Sequence, residues 1–248
     1  MPETVVLLHG FGGTHRMWDG VAERLDAERY SPLALDLPGH GEAAEAERPI
    51  TFAGCVEHVL ARAPALFTLG GYSLGGRVAL HVALAAPQRV ARLVLIASSA
   101  GIDDDAERAE RRCADAELAA RLERGRFEEF IERWGRQQLF ADDPRDVRRL
   151  AEADQRRNRP AALAAVLRGI GAGEMDPLWG RLAELEMPAA VVVGDRDAKF
   201  QVLGRRLVAL LGDAELALVA GGHRLALENP AEVARALEGL DPEAGRRG

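Results

Sequence analysis

Gly71-Tyr72-Ser73-Leu74-Gly75 is the stretch whose reading decides the fold. It follows the apolar run Ala65-Leu-Phe-Thr-Leu69 and opens a helical pattern, Leu74 to Ala85, that ends near Pro87. A strand, a serine between glycines and a helix, in that order, predict a sharp turn that presents a hydroxyl at a helix N-terminus, clear of the sheet edge. Glycines on both sides let the chain reverse without a Cβ clash. A plain glycine turn is the competing reading. The chain has only four serines, so a chance match lodged between a strand and a helix is rare.

Outward from this turn, the run Thr4-Val-Val-Leu-Leu8 reads as a buried strand feeding the glycine-rich loop His9-Gly-Phe-Gly-Gly13. Further strands are expected at Leu33 to Asp36, Arg92 to Ala97, Ala189 to Val193 and Ala214 to Val219, and helices at Trp18 to Leu25, Gln201 to Leu211 and Ala231 to Leu240. Continuous apolar strands alternating with helices predict an α/β architecture, a mostly parallel sheet covered on both faces. The alternation breaks once. Between about 101 and 181 no strand pattern appears, only arginine- and glutamate-rich helices punctuated by Pro144, Pro160 and the glycines from 169 to 173. The expected division is therefore a core of 1–100 and 182–248, with 101–181 inserted before the last two strands as a helical cap. The cap would lie over the carboxyl edge of the sheet, where such sheets bind ligands. Solvated ion pairs account for much of the charge in that insertion. The tail from Asp241 to Gly248 is expected to fray.

Composition excludes several classes. With 48% apolar and 29% charged residues and a net charge of -7, the chain is a soluble globular protein with an acidic balance that argues against nucleic acid as a partner. Cys55 and Cys113 make neither a disulfide framework nor a cluster of metal-binding spacing. Nothing at the N-terminus resembles a signal peptide, and no apolar run approaches membrane-spanning length. The expectation is a cytoplasmic protein with no membrane partner, no metal and no obligate protein partner in evidence.

A serine hydroxyl needs a histidine to take its proton and a carboxylate to fix that histidine's tautomer. His223 lies in the loop after the last strand, and Asp197 just beyond the fifth, so both belong at the edge that carries Ser73. Asp195 is the rival acid, less favoured because it directly follows the turn glycine at 194. His15, His40, His58 and His81 have no such placement and read as surface or core histidines. The loop after the first strand supplies the remaining part: the backbone amides of Phe11 and Leu74 are placed to converge on one oxygen and stabilise developing negative charge. A phosphate loop is excluded, because the lysine and hydroxyl of that motif are missing. Together with the strand order, these features predict the α/β-hydrolase fold.

Within that fold the chain resembles the 2-succinyl-6-hydroxy-2,4-cyclohexadiene-1-carboxylate synthases, enzymes of menaquinone synthesis. The segments that carry the resemblance are LHGFGGTHRMW, DLPGHG, GYSLGGRVAL, AERAERRCAD, FIERWGRQQLF, ALAAVLRGIGAGEMDPLW, GDRDAKF and GGHRLALENP. GYSLGG and DLPGHG are shared by many hydrolases, whereas the AERAERR, FIERW and RGIGAGEMDPLW stretches are more specific. The resemblance implies a lyase that eliminates pyruvate from a tricarboxylate cyclohexene without a metal or organic cofactor, with Ser73 activated by His223 acting as a base. It also implies substrate-binding roles for Tyr72, Arg77, Arg111, Trp134 and Lys199. From the residues alone, Arg77 reads equally well as a helix ion pair, whereas Arg111 reads better as a solvated residue and Trp134 better as packing. Two positions depart from the family pattern. Ala226 stands where a second histidine is usual, and Gln155 where an arginine is usual, leaving Arg156 to serve if the register shifts by one. By itself the serine, aspartate and histidine set fits a carboxylester or carbon-carbon bond hydrolase.

Overall fold

The computed structural model describes residues 1–46 and 48–239, so the expected tail and Leu240 lie outside the described residues. Six strands, β1 (Glu3–Leu8), β2 (Tyr30–Leu35), β3 (Phe67–Tyr72), β4 (Val90–Ile96), β5 (Ala189–Gly194) and β6 (Ala214–Val219), form one sheet. Their spatial order is β2-β1-β3-β4-β5-β6, and each neighbouring pair is parallel. The chain runs outward from β1 to β2 and then returns to place β3 on the other side of β1. That reversal opens a crevice outside the carboxyl ends of β1 and β3.

Ten α-helices are described: α1 (Asp19–Ala22), α2 (Phe52–Leu60), α3 (Leu74–Ala85), α4 (Asp105–Glu123), α5 (Phe127–Gly135), α6 (Arg145–Gln155), α7 (Pro160–Ile170), α8 (Ala198–Leu210), α9 (Leu225–Glu228) and α10 (Pro230–Leu237). No helix among the described residues is long and apolar enough to cross a membrane. Side chains alternate along a strand, so β1 divides its residues between two cores. Val6 and Leu8 pack with Leu69, Leu95 and Val191 under α2, α3 and α8, whereas Val5 and Leu7 pack with Val94, Ile96 and Val192 on the face of α1, α9 and α10. Truncating any one of these fully buried leucines to alanine would cost about 2–5 kcal/mol.

Several elements differ from expectation. The third strand runs to Tyr72 through Gly70 and Gly71, because neighbouring groups approach its backbone closely: a Cβ on Gly70 would sit 2.7 Å from Leu237 Cδ2. The helix expected from Trp18 to Leu25 shortens to a 3-10 turn at His15–Trp18 followed by α1, with Gly20, a poor helix former, inside it. The helix α2 has a signal that composition hides, a Thr51 side chain that accepts from the Gly54 amide at 3.0 Å.

Between β4 and β5 lie α4 to α7. They build a small core of their own from Ala119, Leu122, Phe130, Ile131, Leu163, Ala164 and Leu167, against which Phe11 and Trp134 pack. Phe11 belongs to the loop after β1, so this apolar cluster fixes the helical segment over the crevice.

Candidate active site

Ser73 joins β3 to α3 with φ of 51° and ψ of -109°. A non-glycine residue in this region stores on the order of 1–3 kcal/mol of strain, so the surroundings must hold it there. They do so with three hydrogen bonds. The Ser73 amide donates to the Ile96 carbonyl at 2.9 Å, and its carbonyl accepts from Ser98 Oγ at 2.8 Å and from the Arg77 amide at 3.2 Å. The flanking glycines are required by space: a Cβ on Gly71 would lie 2.5 Å from the Gly75 carbonyl oxygen, and one on Gly75 would collide with the Leu8 carbonyl.

His223 Nδ1 donates to Asp197 Oδ2 at 2.7 Å, and His223 Nε2 lies 3.4 Å from Ser73 Oγ. The first bond is that of a fixed tautomer; the second is long, as such contacts often are before a ligand closes them. Asp195 does not compete. Its carboxylate accepts from the Gly221 amide at 2.9 Å and so braces the loop that carries the histidine. Glu228 braces the same loop by accepting from the Gly222 amide at 2.7 Å. His223 is 2% exposed and boxed by the rings of Tyr72, Phe140 and Phe200 at 5.3, 5.8 and 4.5 Å. Burial pushes its pKa below the ordinary histidine value, while Asp197 pulls the other way. The imidazole is therefore neutral near pH 7, the state a base requires.

Phe11, on the loop after β1, and Leu74, at the first position of α3, line the same cavity as Ser73. Among the described residues, neither backbone amide has a protein acceptor. The Phe11 loop is braced by two buried histidines. His9 donates through Nδ1 to the Gly10 carbonyl at 2.8 Å and accepts the Leu37 amide at Nε2 (3.0 Å), while His40 accepts the Gly12 amide at 3.2 Å. An acceptor nitrogen carries no proton, so both rings are neutral, and burial lowers both pKa values. His15 and His58 bond to Asp36, and His81 stacks on Phe52 at 4.3 Å.

A cavity of about 770 Å³ opens above these groups, bounded by Phe11, Tyr72, Ser73, Leu74, Trp134 and His223. Arg77, Arg111 and Lys199 also line it. Arg77 and Lys199 form no ion pair among the described residues, and the only bond of the Arg77 guanidinium is a 3.4 Å contact with the Ile170 carbonyl. Burial and the neighbouring Arg111 lower the Arg77 pKa to about 10. Arg111 donates through Nε to Asp115 at 2.9 Å, which leaves its terminal nitrogens for a ligand.

Arg156 is a correction. It is exposed, bonds to Glu128 at 3.0 Å, and lies outside the cavity lining. Gln155, 4% exposed, faces the cavity instead, with its Nε2 near Gly12. One residue along a helix is a rotation of about 100°, so a one-residue shift cannot bring both to the same face. Arg224, Phe140 and Phe200 also line the cavity and escaped the sequence reading. All three lie in segments that carry the resemblance, Phe140 in FIERWGRQQLF, Phe200 in GDRDAKF and Arg224 in GGHRLALENP, but no spacing in the sequence points to the distant partner of Arg224.

Residues 5–236 match the model of the Alpha/beta hydrolase family. The chain is 34% identical over 241 residues to the 2-succinyl-6-hydroxy-2,4-cyclohexadiene-1-carboxylate synthase of Salmonella paratyphi C (strain RKS4594), covering 94% of this chain and 92% of that one. It is 33% identical over 240 residues to the synthase of the same name from Enterobacter sp. (strain 638), covering 94% and 89%. Among solved structures, MenH from S. aureus superposes with a TM-score of 0.89 at 28% identity, covering 99% of this chain and 95% of that one. With a parallel sheet, a strained serine turn and full-length likeness of this kind, the chain belongs to the alpha/beta hydrolase family and, within it, to the family of the 2-succinyl-6-hydroxy-2,4-cyclohexadiene-1-carboxylate synthases.

Proposed function

We propose that this protein is a carbon-oxygen lyase of menaquinone synthesis. It eliminates pyruvate from 2-succinyl-5-enolpyruvyl-6-hydroxy-3-cyclohexene-1-carboxylate to give 2-succinyl-6-hydroxy-2,4-cyclohexadiene-1-carboxylate. The observation that carries the reading is a hydrolase-type Ser73, His223 and Asp197 set beneath a cavity whose lining includes Arg77 and Lys199, which form no ion pair among the described residues, and Arg111, whose terminal nitrogens are left over from its bond to Asp115. Such a cavity suits a small polyanion better than a neutral ester. A guanidinium fork matches a carboxylate in two hydrogen bonds, and the substrate carries three carboxylates.

The chemistry follows from the geometry. The proton to be removed lies α to the succinyl ketone. Ser73, relieved of its own proton by His223, takes that proton, and the electron pair of the broken C–H bond moves onto the ketone oxygen as an enolate. The Phe11 and Leu74 amides would hold that oxygen, as they would hold a tetrahedral oxyanion in ester hydrolysis. Collapse of the enolate breaks the ring C–O bond and expels enolpyruvate, which takes up a proton and becomes pyruvate. Asp197 keeps His223 in the tautomer that accepts at Nε2 and stabilises the imidazolium that forms. Arg77, Arg111 and Lys199 would bind the carboxylates, with Tyr72 and Trp134 packing against the ring. The segment 101–181 acts as the cap that excludes water, and the protein works in the cytoplasm, where its two cysteines stay free.

Purified protein incubated with the enolpyruvyl substrate should release pyruvate, followed by coupled NADH oxidation, and Ser73→Ala should reduce the rate to background. The triad geometry by itself also suits ester or carbon-carbon bond hydrolysis. Rapid turnover of aryl esters without pyruvate release would replace the lyase reading with that one.

A further inference from the structure

Arg224 follows His223 directly, and its side chain turns away from solvent toward the helical segment. Its guanidinium pairs with Asp143 and lies 3.8 Å from the centroid of Phe140. The two side chains of the pair are 6% and 1% exposed. Phe140 and Asp143 belong to one turn, closed by the Asp143 amide donating to the Phe140 carbonyl at 3.2 Å. One guanidinium is thus gripped at its face by a ring and at its end by a carboxylate. The same ring stands 5.8 Å from the His223 imidazole and 6.2 Å from Trp134, which in turn lies 5.0 Å from Phe11. A continuous line of contacts runs from the histidine loop through the helical segment to the loop that carries Phe11.

We propose that Arg224 is a positioning residue: its grip on Asp143 and Phe140 locks the helical segment onto the His223 loop and holds the imidazole in line with Ser73. The inference rests on the reading of His223 as the group that activates Ser73, and it assigns the pair a job that burial alone does not explain. An ion pair this deep is poor evidence for stability, because the cost of removing two charges from water offsets their attraction. It does define a geometry. The carboxylate and the ring hold the Arg224 guanidinium from its end and its face, and the adjacent His223 inherits that restraint. The charged or titratable groups around His223 are Tyr72 at the end of β3, Asp197 and Lys199 at the start of α8, Arg224 on its own loop and Asp143 from the opposing turn. The pair therefore sets both the position of the imidazole and part of its electrostatic surroundings.

The test is a set of three variants, Arg224→Met, Asp143→Asn and the double change Arg224→Met with Asp143→Leu, read by pyruvate release and by NMR titration of the His223 ring. The double variant strands no charge, so it should fold. Expected is a fall in kcat of about tenfold or more with KM within about threefold, as for a misplacement of catalytic groups on the ångström scale. The single variants should move the His223 titration in opposite directions. Loss of the Arg224 charge favours the imidazolium and raises its pKa, and loss of the Asp143 charge lowers it. A folded double variant with wild-type kcat, a loss confined to KM, or single variants that leave the titration in place would each overturn the proposal. If the single variants fail to fold, the double variant decides alone. Full activity in His223→Gln would instead remove the reading beneath it, whereas dependence on His223 without any response to the pair discards the positioning role only.

Discussion

Replacing Arg77 with methionine should make the protein worse at its reaction and no less stable. The guanidinium is partly withdrawn from water beside the positive Arg111, and its single hydrogen bond among the described residues is a 3.4 Å contact with a carbonyl. Burial and that neighbour bring its pKa down to about 10, which corresponds to about 3 kcal/mol of unfavourable charging without solvent. The side chain is only partly buried, so screening reduces this to about 1–2 kcal/mol. Methionine keeps the aliphatic stem that packs and discards the charge. The unliganded protein should therefore hold its Tm or gain a few degrees, at about 2–4 °C per kcal/mol for a chain of this size. A bound carboxylate, by contrast, loses charge-assisted hydrogen bonds worth about 1.5–3 kcal/mol, or about 10- to 150-fold in kcat/KM. Differential scanning calorimetry and steady-state pyruvate release read the two effects separately. If Tm falls by more than about 4 °C while kcat/KM stays within threefold, Arg77 is a structural residue and the electrostatic reasoning is wrong.

Further outcomes follow from the same geometry. Arg111→Ala should raise KM about thirtyfold, because its terminal nitrogens are free while Nε is held by Asp115; an unchanged KM would return it to the solvated surface. Asp197→Asn should lower kcat by about 10³- to 10⁴-fold through the wrong histidine tautomer, whereas Asp195→Asn, at a carboxylate that accepts only the Gly221 amide among the described residues, should cost far less. Equal losses would show that the two carboxylates had been misassigned. Because burial depresses the His223 pKa, the base stays neutral as pH falls through the ordinary histidine value, and kcat/KM should decline only below about 6.5. The same depression means that native stability contributed by this group is present above the unfolded pKa and is lost as pH falls through about 6.5 toward the folded one. An acid limb in kcat/KM above 6.5 would contradict the burial argument.

The serine turn, the parallel sheet and the order of serine, acid and histidine were legible in the chain, because each is a local pattern. Apolar runs of strand length, glycines at fixed offsets and a helix start are properties of neighbours in sequence, and they survive without knowledge of what packs where. α2 escapes a reading from pattern because it is only nine residues long and carries Gly54, a poor helix former, in its first turn. Three decisions required the tertiary structure. Asp195 and Asp197 are two residues apart in one loop, and only the register of β5 beside β6 sends the first to the Gly221 amide and the second to the histidine. Gln155 and Arg156 differ by one step around α6, and which of them faces the cavity depends on how that helix seats against the Phe11 loop. Arg224 and Asp143 are distant in sequence and meet only because the helical segment folds back over the sheet. Local patterns determine which groups are offered at the edge of a sheet; long-range packing, driven by burial of apolar faces on both sides, decides which of those groups come within a hydrogen bond of each other.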